Sequence, residues 1–169
     1  MDVLVVVAQV VSALAVLAGV AFAMIEARHY KERKARESAL ALARSYYTID
    51  FAEAVFLIGE LSAGMSRKEL TETLGGNLRQ VALLMTTWES LGVLVYRGEL
   101  SIDLVDDLYS GVIVLSWNKL FRFVEEVRAE TGRETYFEWF QWLGERFAER
   151  EANAPPHPAY NQFKAWTPK

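Results

Sequence analysis

Residues 3–25 read VLVVVAQVVSALAVLAGVAFAMI: 23 positions with no charge, interrupted only by Gln9 and Ser12. No other feature restricts the fold as strongly. About 20 helical residues span the hydrocarbon core of a bilayer. In lipid the backbone must satisfy its own hydrogen bonds, so such a run is expected to be a transmembrane helix. A cleaved leader is the competing reading, and Ala21-Phe22-Ala23 resembles a cleavage site. Against it, the preceding residue is acidic, Asp2, and the run exceeds the usual apolar region of about 7–15 residues.

Charge gives the direction of insertion. Arg28, Lys31, Arg33, Lys34 and Arg36 follow the run directly, whereas only Asp2 and the amino terminus precede it. The positive-inside rule then puts the N-terminus outside and the rest of the chain in the cytoplasm. The expected setting is the cytoplasmic membrane, crossed once. The five basic side chains are expected to contact anionic lipid headgroups, which attract Lys and Arg near the surface. Within the span, Ala8, Ser12, Ala15, Gly19 and Ala23 recur three or four residues apart. Small side chains so spaced let another helix approach, and Gln9 offers a hydrogen bond within the membrane. The expected partners are helices of other membrane subunits or a second copy of the chain.

Beyond residue 25 the sequence predicts an all-α protein, its membrane helix continuing into a small cytoplasmic helical bundle. The boundaries read as a membrane helix over 1–25, a basic helical stalk over 26–47, a helical domain over 48–151 and a Pro/aromatic tail over 152–169. The stalk holds no Gly or Pro and favours helix. The next helix is expected to start at Asp50 as N-cap and run to Gly64. Its apolar residues cover most of its circumference, which predicts a central place in the core. Ser66 with Glu69 forms a capping box for RKELTETL. Gly75-Gly76 ends that helix, and Asn77 is expected to cap another from Leu78 to about Val95, in which Leu78, Val81, Leu84, Met85, Trp88 and Leu91 follow helical spacing. After the Arg97-Gly98 turn, Ser101 opens a helix at Ile102. It carries VIVLSWNKLFRFVEEV, read as helix rather than strand, and stops at Gly132. The last helix is predicted from Glu134 to Glu149, with Tyr136, Trp139, Phe140, Leu143 and Phe147 facing the core. Trp117 and Trp139 read as core. In the tail, Tyr160, Phe163 and Trp166 are expected to dock on the domain or on a partner, while its prolines rule out a packed helix.

Chemistry finds little foothold. There is no cysteine, and His29 and His157 lie far apart, so no metal and no cofactor is expected. Neither a phosphate-binding glycine loop nor a nucleophile elbow occurs. Asp103, Asp106 and Asp107 lie at helical spacing, but acidic groups in a helix's first turn also satisfy the macrodipole. A non-catalytic accessory or scaffold subunit of a membrane complex is the reading that follows. The alternative is a membrane-tethered regulator whose residues 66–98 form a helix-turn-helix-like nucleic-acid-binding segment. Only Asn77, Arg79 and Gln80 could serve it, and from residue 38 onward thirteen basic residues face eighteen acidic ones. An acidic domain suits nucleic acid poorly, so binding there is not expected.

Residues 86–143 show Tyr96-Arg97-Gly98 closing an apolar helix, then an acidic helix start, Trp117, Arg128 and an aromatic helix. With the N-terminal span, this resembles an uncharacterised bacterial family catalogued as a domain of unknown function. The resemblance implies a single membrane helix with a helical cytoplasmic domain, and implies no catalytic residue.

Overall fold

The computed structural model describes residues 3–46, 48–155 and 157–167. All the regular structure among them is helical: α1 (Val3–Ser45), α2 (Ile49–Glu60), α3 (Arg67–Leu74), α4 (Leu78–Tyr96), α5 (Ile102–Thr131), α6 (Glu138–Asn153) and the four-residue α7 (Ala159–Gln162). The chain divides into two compact units, Met1–Ser45 and Tyr46–Lys169.

The first unit is α1, 43 residues of continuous helix and about 65 Å long at 1.5 Å per residue. The apolar run and the Ala/Arg/Lys/Glu-rich segment after it therefore form one rod. Every side chain from residue 11 to residue 30 is exposed.

The second unit is built around α4, α5 and α6, with α2 and α3 packed against α4 and α5. Its centre is Trp88, Ile58, Leu70, Leu84, Ile113, Leu120, Phe140, Leu143 and Phe147, all essentially solvent-free. Val81, Met85 and Leu91 are buried as their spacing predicts. The Ser66–Glu69 capping box forms in full, the Ser66 N–H donating to Glu69 at 2.8 Å. Gly132, left-handed at φ 64°, stops α5, which runs unbroken through Gly111.

Six local expectations need correcting. The N-cap of α2 is Thr48, whose hydroxyl accepts from the Phe51 N–H at 3.2 Å; Asp50 lies inside the first turn. That helix ends at Glu60 rather than Gly64. It also sits at the side of the bundle, not its centre: Ala54 and Ile58 are buried, while Ile49 is 78% and Phe56 70% exposed. An all-round apolar helix can bury only the face its neighbours cover. Finally, α6 begins at Glu138, four residues later than predicted, which leaves Tyr136 outside the helix and partly exposed. Neither Asn77 nor Ser101 makes a side-chain cap; a 3-10 turn over Gly75–Asn77 leads into α4.

Two glycines set how closely α6 approaches its neighbours. A Cβ on Gly92 of α4 would stand 2.5 Å from the Trp139 carbonyl oxygen. One on Gly144 of α6 would stand 2.8 Å from the Trp117 Cβ. In each case the obstacle is backbone or the root of a side chain, which cannot swing away. We therefore expect Gly92→Ala and Gly144→Ala each to destabilise the domain. Overpacking of about 1–3 kcal/mol exceeds the helix-propensity gain of roughly 1 kcal/mol. Thermal melts in mild detergent, followed by near-UV circular dichroism, read the difference.

Candidate functional site

On α1 the small-residue stripe is open. Gln9, Ser12, Ala15, Gly19 and Ala23 are exposed, and nothing lies within 4 Å of where a Cβ on Gly19 would stand. Ala8 lies on the same helix, but its side chain is outside the described residues. Val11–Tyr30 is long and apolar enough to cross a membrane, which suggests membrane anchoring. Of the basic group, Arg28, Arg33 and Lys34 are exposed; the side chains of Lys31 and Arg36 are outside the described residues. Arg33 reaches Glu26 at 3.0 Å. Both partners are more than half exposed, so water and salt screen the pair and leave the guanidinium accessible.

In the helical unit, polar groups mostly hold the fold. Arg150 near the end of α6 donates to Asp106 at 2.7 Å and Asp103 at 2.6 Å, tying the first turn of α5 to α6. The acidic cluster singled out in the sequence is thereby an inter-helix clasp, with Asp107 exposed beside it. Arg128 donates to the Tyr136 carbonyl (2.8 Å) and to Gln141 (2.6 Å), pinning the α5–α6 turn. Glu126 accepts from the Arg67 N–H at 2.7 Å and from Arg122 at 3.1 Å.

The residue that sequence reasoning missed is Glu89. Phe137, just ahead of α6, has φ 53° and makes no side-chain cap. The half-buried Glu89 carboxylate on α4 accepts from the Phe140 N–H at 2.8 Å instead, capping α6 across 51 residues of sequence. Burial pushes its pKa above the ordinary carboxyl value of 4.5, against the pull of the backbone N–H groups of Phe140 and Trp139. Between 4.5 and the raised value the folded chain holds more proton than the unfolded one, so this group's contribution to stability falls as pH rises. We expect Glu89→Gln, which keeps the acceptor and removes the charge, to melt at or above the wild type at pH 7. The gap should close as pH drops to 4.5. Glu69 works in the opposite sense: hydrogen bonds from Ser66 hold its pKa low, and its contribution fades in acid in both proteins.

The aromatic residues sort differently from the expectation. Trp88 is the buried tryptophan; Trp117 and Trp139 are only partly covered. Trp117 stacks edge-on against Phe140 at 5.3 Å. Trp139 packs on Tyr96 at 4.8 Å and near Trp142 at 6.1 Å, and Tyr96 itself is 65% exposed. In the tail, Tyr160, Phe163 and Trp166 are all exposed, and a short helix forms over Ala159–Gln162 despite the flanking prolines.

Open hollows lie among the described residues of the second unit. One, about 450 Å³, lies between α2 and the start of α4, lined by Ala52, Glu53, Phe56, Leu57, Asn77 and Gln80. There the Gln80 amide donates to Glu53 at 2.7 Å. Another, about 340 Å³, lies around Met65, Glu69 and Arg122. Among the described residues no three His, Cys, Asp or Glu side chains converge as metal ligands would.

No characterised protein and no solved structure gives a significant match to the chain. A family model does match, over residues 4–147, which takes in nearly the whole apolar run and the bundle through Phe147. With nearly all of α1, α2–α5 and the first part of α6 falling inside a single family domain, the chain belongs to the family described as domain of unknown function (DUF4760).

Proposed function

We propose that this protein is a non-catalytic, membrane-anchored accessory or scaffold subunit of a bacterial membrane protein complex. In this reading α1 crosses the cytoplasmic membrane once, N-terminus outside, and residues 46–169 are cytoplasmic. The observation that carries the reading is α1 itself: a membrane-length apolar helix whose stripe of Ser12, Ala15, Gly19 and Ala23 is open to a partner. Small residues let helix backbones approach within lipid, and Gln9 would add an interhelical hydrogen bond. The same stripe could serve a second copy of the chain. Arg28, Arg33 and Lys34 follow on the cytoplasmic side, where anionic lipids attract them. The family domain includes both α1 and the bundle, which supports a lasting anchor over a removable leader.

Several of the side chains that could have pointed to catalysis or nucleic acid have structural engagements. Asp103 and Asp106 hold Arg150, and Gln80 holds Glu53; among the described residues, Arg79 is the one cation in the first turn of α4. These pairings favour the subunit reading over the helix-turn-helix alternative. Purification in mild detergent, with identification of co-purifying proteins, tests it. A stoichiometric membrane partner is expected, lost on Gly19→Leu; recovery as a lone monomer would overturn the proposal.

A further inference from the structure

We infer that the C-terminal tail is a second membrane contact: Tyr160, Phe163 and Trp166 lie in the headgroup region of the bilayer that α1 crosses. The inference rests on the reading of α1 as a span. Two observations carry it. First, the three rings sit three residues apart along α7 and the turn after it, and are 76%, 57% and 70% exposed. Each exposes an aromatic surface that nothing in its own domain covers. Tyr and Trp concentrate at membrane–water interfaces because an apolar ring and a polar handle match that boundary.

Second, the charge is right for a bilayer. Residues 152–169 contain Lys164 and Lys169 and no acidic residue, although the chain as a whole carries a net charge of −4. A cationic, aromatic segment is attracted to anionic headgroups. Tethering by α1 makes the contact intramolecular, so even a weak interfacial affinity is sufficient.

The test uses the full chain reconstituted into phosphatidylcholine/phosphatidylglycerol vesicles containing brominated lipid. Wild type and Trp166→Phe are compared, so that the other four tryptophans cancel and the difference reports Trp166. The tail meets its own leaflet whichever way the chain inserts. We expect most of the Trp166 emission to be lost to brominated lipid while the aqueous quencher iodide has little effect. Quenching by iodide and not by bromine would show a tail free in water, and protection from both would show it docked on protein; either overturns the proposal. Should the chain fail to float with the vesicles at all, the span fails first and the tail contact with it.

Discussion

Trp88→Ala will remove a large share of the stability of the helical domain. The indole is fully buried and lies against Phe51 at 5.8 Å, Tyr109 at 6.0 Å and Tyr46 at 6.2 Å between ring centres. Truncating a buried aromatic to alanine costs about 3–5 kcal/mol, because the transfer energy is lost and a cavity remains. A domain of this size has only roughly 5–15 kcal/mol in all. The near-UV circular dichroism of the intact chain should melt far below that of the wild type. Trp88→Phe separates two contributions. It keeps an apolar ring and loses the hydrogen bond from Nε1 to the Ser116 hydroxyl (3.3 Å), itself worth about 1 kcal/mol. Ser116 still donates to the Val112 carbonyl at 2.6 Å, so no buried donor is stranded and the loss should be clearly smaller. The same cluster reaches Tyr46, whose hydroxyl is pushed up to about 12 chiefly by burial and further by Tyr109, and which therefore stays neutral across the physiological range.

The second large effect concerns location. Leu14→Arg combined with Leu17→Arg will move the protein from the membrane to the soluble fraction. Both leucines are exposed on α1, 60% and 65%, and sit one turn apart near the middle of the apolar run. A charged residue at the centre of a membrane helix costs about 2.5–3.5 kcal/mol to insert, and each leucine removed also takes away a favourable contribution. Two such changes exceed what the remaining apolar residues can offset. A matched control, Leu14→Ile with Leu17→Ile, should leave the protein in the membrane.

Where the sequence predicted structure well, the determinants were local. The capping box at Ser66 and Glu69 needs only four consecutive residues, and the left-handed Gly132 needs one. The spacing of Val81, Leu84, Met85, Trp88 and Leu91 identifies a buried face because α4 is covered on one side and open on the other. The start of α6 was not legible, since it depends on the turn Arg128 holds through the Tyr136 carbonyl and on a cap that Glu89 supplies from α4. No window along the chain contains both ends of that cap. The position of α2 failed for a related reason. Apolar composition reports what a helix would tolerate being buried against, whereas the neighbours decide which faces are covered, and Phe56 and Ile49 were left outside.

The proposed surfaces show the same division. The stripe from Ser12 to Ala23 could be read from spacing because α1 is one continuous helix. The tail aromatics stood out by composition, but their exposure depends on the domain offering them no pocket. The Tyr96–Trp139–Trp142 patch escaped notice because its members come from two helices that the sequence does not pair.

Fractionation of the intact chain after lysis without detergent tests the central claim most directly. With α1 in lipid, the protein should sediment with membranes, resist an alkaline carbonate wash and enter solution only with detergent. Release into the supernatant by lysis alone would contradict it and would return residues 3–25 to the status of an apolar helix still lacking a partner.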